Sequence, residues 1–447
     1  MANGGGAFFP AITIRSRFTQ VIILVAVVLN LGLAIYFWLP SEEQLSTSIG
    51  LAKEPLADLE DTIVADEDFA HDPEDSDEIG RPNKKVAVLN YAGAHDEVVV
   101  SILYTLAQIP EYDVDVFFTT PRYGIEKIMS PFYSKPLQDP YSFGSHYKPS
   151  AYPDVLIMAS CDGSDIYYVG GAVETMVAAK PDMKVMCIVH NPQTLQDVHF
   201  RMSPLAEKGV LTMVGLSPHV ADYLKDHKLP DLAKEFNPIF ANVPTTVFVP
   251  TFDYRLPESC STSGNTEMNE ACKSNFVVQG IFETGRRDYG SLFDHLLNKI
   301  AADQEDWKNF HLLLLGQGSP FDLQEPLASH VSTYNDLPYL EYYDKIHHSL
   351  ALLPAFASDS YLLYKASSSV GAALLTGVPL IADQALLDSY RHLSKDGVYF
   401  QNEGEHFIDT VERIRKLSVE DMNEKRSNAS AMNSRIIKDN IAWCKAL

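Results

Sequence analysis

The stretch LLYKASSSVGAALLTGVPLIAD, residues 362–383, decides how the rest of the chain is read. Ser367, Ser368 and Ser369 precede an apolar run punctuated by Gly371 and Gly377, and the strand-like VPLIAD follows. A helix leaves its first N–H groups unpaired and carries the positive end of its dipole there, so the pattern suits a diphosphate. A serine that only caps the helix gives the same letters. Lys365 stands close enough in sequence to add a positive charge. The order around it (strand, polar break, helix, strand) favours a site over a plain cap.

Working outward, the flanking segments alternate in kind. HLLLLGQG (311–318) reads as a buried strand ending in Gly316 and Gly318, which let backbone approach a ligand. NFVVQG (275–280), a helix around SLFDHLLNKIAAD and LALLPAF (350–356) complete the second half. In the first half KKVAVLNY (84–91), YDVDVFFTT (112–120), DVLIMAS (154–160), KVMCIVH (184–190) and TMVGLS (212–217) have strand character. EVVVSILYTLAQI (97–109) and GGAVETMVAAK carry helical spacing. Such alternation predicts parallel sheets covered on both faces. The prolines of NVPTTVFVPTFDYRLPES (242–259) interrupt it and mark a hinge. The expected fold class is therefore α/β: two doubly wound Rossmann-like domains, residues 84–252 and 274–425, facing a cleft. Residues 253–273 form the linker. The C-terminal stretch is helical from Val419, and its end, 426–447, is expected to pack back on the first domain. Ligands of such sheets bind outside the carboxyl ends of the strands, which here means the cleft.

A hydrophobic fraction of 46% and a charged fraction of 21% are ordinary for a globular chain, so both domains can bury a core. The net charge of −24 argues against a nucleic-acid partner, whose phosphates need Lys and Arg clusters. Residues 54–79 contain no Lys or Arg but many carboxylates, and such a run stays extended and solvated. Before it, VIILVAVVLNLGLAIYFWLP (21–40) is uncharged and long enough to cross a hydrocarbon core of roughly 30 Å. Arg15 and Arg17 precede it and Glu42 and Glu43 follow, which predicts a cytosolic tail (1–20), a membrane anchor (21–40) and an acidic disordered stem (41–83). The span is long for a signal peptide and lacks a small-residue cleavage site, so a single-pass type II membrane protein is expected. An anchor and acidic stem of this kind point to the Golgi membrane, with the endoplasmic reticulum as the alternative. Cys260 and Cys272 bracket a polar segment and are disulfide candidates, whereas Cys161 and Cys187 sit in apolar runs and read as buried thiols. Asn428-Ala429-Ser430 is a glycosylation sequon if the compartment is lumenal.

The second half, reading VQG…RRDY, LLLGQG and LLPAF…YKASSSVGAALLTGVPLIA, resembles the donor half of a GT-B glycosyltransferase, most closely the retaining family 4 type. By position, the resemblance implies that Arg286 or Arg287 contacts a donor diphosphate, and that Tyr364, Lys365 and Ser367 to Ser369 line the diphosphate or sugar. Members of that family usually keep two glutamates where this chain has Tyr364 and Ala372, and neither can bond a sugar hydroxyl as a carboxylate does. Asp359 and Asp383 are the nearby acids that could substitute. His95, in the loop after the first strand, resembles the general base of inverting family 1 enzymes, with Asp96 to hold its tautomer. His190, at the end of KVMCIVH, resembles the cleft histidine near the donor sugar in family 4 enzymes. Read without the resemblance, His95 is an exposed residue beside a helix-capping Asp96, and His190 is a turn residue.

No G-x-x-x-x-G-K-[ST], H-E-x-x-H or G-x-S-x-G occurs, and no cysteine pair has zinc-ligand spacing with nearby histidines. Asp113-Val114-Asp115 has the letters of a metal-binding D-x-D but begins a buried strand and reads as structural. Neither a metal nor a cofactor is expected beyond a nucleotide diphosphate sugar as co-substrate. The expectation is a glycosyltransferase acting on a glycan, protein or lipid acceptor in the secretory pathway. The alternative is a GT-B-like binding or scaffold protein without turnover.

Overall fold

The computed structural model describes residues 83–254, 260 and 270–447. The apolar span at 21–40, the acidic stem up to residue 82 and most of the 255–269 segment lie outside the described residues. Among the described residues no helix is long and apolar enough to cross a membrane.

The first domain runs β1 (Lys84–Asn90), α1 (Asp96–Ala107), β2 (Tyr112–Phe118), β3 (Val155–Met158), α2 (Ile166–Ala179), β4 (Lys184–Val189), α3 (Leu195–Glu207), β5 (Leu211–Gly215) and β6 (Thr245–Val247). Its strands form one sheet in the order β2-β1-β3-β4-β5-β6, all parallel. Near-continuous Val, Ile, Leu and Met explain why: Val86–Leu89 and Val155–Met158 are buried on both faces, as parallel strands under helices must be. Strand order reverses between β1 and β3, which opens a crevice between the loops that follow them.

The second domain contains β7 (Asn275–Ile281), α4 (Tyr289–Ala302), β8 (His311–Gln317), β9 (Val331–Asn335), α5 (Tyr339–His347), β10 (Ala351–Leu352), α6 (Ser368–Thr376), β11 (Ile381–Ala382), β12 (Tyr399–Phe400) and α7 (Phe407–Ile414). Four strands pair as β10-β7-β8-β9, and a Leu352–Leu380 bridge links them to the β11-β12 pair. The resulting order is that of a dinucleotide-binding sheet, with its reversal between β7 and β10. Gly316 has to be glycine, since a Cβ there would lie 1.7 Å from the Gly280 carbonyl oxygen. Three strands had no signal in the sequence. β6 is three half-buried residues between prolines, β9 is the polar VSTYN, and β12 is two residues long.

A single helix, α8 (Val419–Lys445), holds the two domains together. Near its start Arg426, almost wholly buried, donates to the carbonyls of His347 and Ser349 in the second domain. Further along, Asn433 bonds Thr251 and the Phe252 carbonyl, and Asn440 Nδ2 donates to the Val249 carbonyl at 2.8 Å. At its end Tyr112 Oη donates to the Cys444 carbonyl at 2.6 Å, and Trp443 packs on Phe248. One apolar core therefore runs from β1 through Met432 and Ile436 to β7 and α6.

One covalent expectation changes. Cys161 and Cys187 are not separate thiols but one disulfide with Cα atoms 5.0 Å apart, because adjacency of β3 and β4 brings the turn after β3 over Cys187. Cys260 and Cys272 are also joined, and Cys444 is a buried free thiol. Asn428 sits inside α8, half-exposed, with its amide donating to the Asp396 carbonyl and the neighbouring Ala429 buried.

Asn440→Ala leaves the Val249 backbone groups buried without partners and is expected to cost roughly 1–3 kcal/mol. Urea unfolding measures it; an unchanged midpoint would remove α8 as the tie between the domains.

Candidate active site

The carboxyl ends of the two sheets enclose a cavity of about 630 Å³, within the usual size of a small-molecule site. His95, His190, Arg286, Arg287, Gly316, Lys365, Ser367 and Ser368 line it. Asp96, Gly318, Tyr364 and Ser369 do not, so four of the expected site residues lie outside its lining. The residues come from loops at both switch points and from the amino end of α6, which is where strand reversal leaves room for a ligand.

On the first-domain wall His95 caps α1 in the left-handed region, φ 60° and ψ 44°. Histidine reaches that region more readily than most residues, and strained backbone of this kind concentrates at functional sites. The conformation lays its ring on that of His190, with centroids 3.6 Å apart and planes 19° from parallel. His190 Nε2 lies 2.7 Å from the Ala159 carbonyl, which can only accept, so the proton is on Nε2 and Nδ1 carries the lone pair. Burial, and for His95 also the neighbouring His190, push both imidazole pKa values down to about 4. Although 42% of the His95 side chain still faces the cavity, both rings are neutral at neutral pH. Two stacked imidazoles cannot both ionise without mutual repulsion, so the pair takes up one proton at most in ordinary conditions.

Asp96 does not hold His95. Its side chain is buried behind α1, where Oδ2 accepts the Arg122 N–H at 3.1 Å, and burial raises its pKa to about 6. The carboxylate that faces the imidazole is Glu97, with Oε1 3.9 Å from His95 Nδ1. One residue of helical register decides this: position 96 points into the domain and position 97 into the cleft. The turn bearing His190 is held from below by Asp162, whose Oδ2 accepts the Asn191 N–H at 2.6 Å.

On the opposite wall, the amino end of α6 is partly capped. Ser367 Oγ accepts the Ser369 N–H at 3.2 Å, and the Ser367 N–H donates to Tyr390 Oη at 3.0 Å. Ser368 is exposed to the cavity; its hydroxyl accepts from Gln279 Nε2 at 3.0 Å, while its N–H has no protein partner among the described residues. Arg287, 3% exposed, donates to Ser369 Oγ at 2.9 Å and to the Gln279 carbonyl at 3.1 Å, beside the stacked rings of Phe356 and Tyr361. It therefore fixes α6 against β7 and adds charge from behind. Arg286 is exposed at the surface, paired with Glu283 at 2.8 Å.

The two positions where glutamates would be usual differ in kind. Ala372 lies in the cavity wall, whereas Tyr364 packs against Tyr223 outside it. Neither Asp359 nor Asp383 replaces them: Asp383 caps the following helix through the Leu386 N–H, and neither lines the cavity. The cavity carboxylates are instead Glu97 and Asp336, the latter accepting from Tyr123 Oη at 2.9 Å. Tyr339, Tyr342, Tyr343 and Tyr361 complete an aromatic lining that sequence reading missed; the cluster YLEYY was its only trace. The D-x-D letters are structural, with Asp113 on Lys135 and Asp115 on Tyr147.

No protein-family model and no curated protein matches this chain. Solved structures do. An alpha-glucosyltransferase in complex with UDP-glucose and DNA containing an abasic site superposes with TM-score 0.53 at 11% identity, over 78% of this chain and 94% of that one. The Candida albicans trehalose-6-phosphate phosphatase N-terminal domain gives 0.51 at 11% identity, over 82% and 99%. Sucrose-phosphate synthase from Thermosynechococcus elongatus gives 0.48 at 11% identity, over 81% and 97%. At such identities the likeness is one of fold: a parallel-sheet α/β architecture of two facing Rossmann-like domains, the GT-B arrangement.

Proposed function

We propose that this protein is a glycosyltransferase that uses a nucleotide diphosphate sugar. The observation that carries the reading is the placement of Ser368, at the open amino end of α6, across one cavity from the His95–His190 pair. A structural neighbour that holds UDP-glucose in the same fold supports it. The diphosphate would rest against the Ser368 N–H, Lys365 and Arg286, with α6 and Arg287 supplying positive potential. An acceptor hydroxyl would give its proton to His95 as its oxygen bonds the anomeric carbon. The bond from that carbon to the diphosphate breaks, and the leaving charge is stabilised by groups already in place. Glu97 would stabilise the imidazolium. A base on the acceptor side, together with alanine and an outward tyrosine in place of the two glutamates, supports inversion over retention. The chain would be anchored by residues 21–40 as a type II protein of the Golgi membrane, or else of the endoplasmic reticulum, and would work without a metal. Ala372 in the cavity wall is what favours the second reading, a GT-B-like binder without turnover.

A thermal-shift panel of UDP- and GDP-sugars tests the donor site, since a ligand that binds only the folded form raises the melting point. One class is expected to do so, with Arg286→Ala or Lys365→Ala weakening it roughly tenfold; no shift with any donor would end the proposal. His95→Ala is expected to abolish transfer while the donor-induced shift persists, whereas donor binding without turnover in the parent chain selects the binder.

The histidine pair also sets a pH dependence. A folded-state pKa near 4 against an unfolded value of about 6.5 means the unfolded chain binds the extra proton first. The contribution is complete above about 6.5 and is lost as pH falls toward 4. The melting temperature of the parent is therefore expected to drop more steeply over that window than that of His190→Asn. Asp96 and Asp162, whose raised pKa values act in the opposite sense, are common to both proteins and cancel in the difference. Parallel curves would show that His190 titrates normally.

A further inference from the structure

Outside the cavity, one short helix of the first domain grips the loop that carries Lys365. It runs Pro218–Tyr223, just after β5. Gly215, at the end of β5, lets it sit close, since a Cβ there would lie 2.6 Å from the Ala221 nitrogen. Val220 joins the apolar core of its own domain. Helical spacing then turns His219, Asp222 and Tyr223 to one other face. All three reach the second domain. His219 meets the carbonyls of Lys365 and Ser389, Asp222 pairs with Arg391 at 2.6 Å, and Tyr223 meets Tyr364 with ring centroids 5.3 Å apart.

His219 makes the directional contact of the three. It is 7% exposed, and its Nε2 stands 3.0 Å from the Lys365 carbonyl oxygen, which can only accept. Its Nδ1 lies 3.0 Å from Ser217 Oγ, a hydroxyl able to donate, and 3.2 Å from the Ser389 carbonyl. Burial lowers the imidazole pKa. In the neutral ring the hydroxyl beside Nδ1 leaves the proton on Nε2, from which it goes to Lys365. The other donor close to that carbonyl, Tyr390 Oη at 3.4 Å, has a single hydrogen. That hydrogen goes to the Tyr361 carbonyl at 2.9 Å, while the Tyr390 oxygen accepts the Ser367 N–H at 3.0 Å.

The bond joins parts that lie 146 residues apart in the chain. Lys365 and Ser368 line the cavity, and the link at 364–367 joins the short helix Ser360–Leu363 to α6. A link outside any strand ladder takes its shape from whatever satisfies its backbone groups. Here the satisfying group belongs to the opposite domain. His219 does not itself line the cavity, so it acts through the loop. A site that holds an anion on backbone N–H groups works best when those groups are fixed beforehand.

We propose that His219 is a positioning residue of the donor site: by donating to the Lys365 carbonyl from the opposite domain, it makes the order of the 364–368 loop, and with it donor affinity, depend on closure of the two domains. The word donor rests on the transfer reading above; the hold of the first domain on the loop does not.

The test measures hydrogen exchange by mass spectrometry on the full chain in detergent, as parent, His219→Gln, His219→Asn and Arg391→Ala. Glutamine carries an N–H as far from Cβ as the imidazole Nε2, whereas the asparagine amide stops short of it. Amides 364–369 are expected to exchange about tenfold faster in His219→Asn and at the parent rate in His219→Gln, with β1 and β4 unchanged in both. Arg391→Ala removes an exposed ion pair of the same interface and is expected to leave the loop at the parent rate. For the nucleotide sugar that shifts the parent in the panel above, Kd is expected to rise about tenfold in His219→Asn and to return in His219→Gln. Exchange in His219→Asn equal to the parent's overturns the proposal. So does a loop loosened as much by His219→Gln or Arg391→Ala, exchange that rises evenly over both sheets, or a loosened loop with an unchanged Kd. The split between asparagine and glutamine in loop exchange, seen in a parent that no nucleotide sugar shifts, would uphold the hold of His219 on the loop and sink the transfer reading alone.

Discussion

Two sheets can share a cleft only if something fixes the angle between them, and in this protein α8 does so with buried polar contacts. Arg426 answers carbonyls left open at the end of α5, while Asn433 and Asn440 answer the backbone of the segment that leaves the first domain. An asparagine amide offers a donor and an acceptor together, so it can replace a strand neighbour for a backbone that has none. Such contacts are worth little when made but cost a good deal when broken, which turns them into constraints on geometry. The cleft mouth is bridged as well. Tyr123, at φ 52°, bonds Asp336, at φ 53°, and Arg391 pairs with Asp222 at 2.6 Å on the other side. With those contacts in place, the amino end of α6 and the two histidines open onto one volume.

Inside that volume the two walls are prepared differently. The second-domain wall is stiff and positive: Arg287 is held by carbonyl, hydroxyl and ring faces together, and its charge lies behind the helix end without blocking it. On the first-domain wall the imidazole pair is uncharged, because burial and a second imidazole both oppose charging His95. A site with fixed positive potential on one side and an uncharged base on the other suits the separation of a proton from a leaving anion. In the proposed transfer, Glu97 would be the group that meets the charge once it forms.

Much of the scaffold was legible from the chain. Buried parallel strands read as near-continuous apolar runs, and β1, β3, β4, β5, β7 and β8 were visible for that reason, while β2 showed through its Val and Phe alternation. β9 was not, because an edge strand with half-exposed Ser, Thr and Tyr has no apolar signature. The serine-led start of α6 was visible as a cap, and Gly316 as a close approach. That Ser367 serves Ser369 while Ser368 stays open depends on side-chain rotamers, which letters do not carry. The disulfide at Cys161 was misread because two apolar contexts hid the adjacency of β3 and β4.

By itself the amino-acid sequence determined the class of fold, the order of its elements and the chemical types brought near the cleft. Those follow from local periodicity and from backbone rules that act over a few residues. Only the tertiary structure decided that Glu97 rather than Asp96 faces His95, and that Arg287 braces the start of α6 from within the cavity wall. Such outcomes depend on which strands become neighbours and on how helices are rotated against them. That information is set by long-range packing, where a shift of one residue exchanges the inside of a helix for its outside.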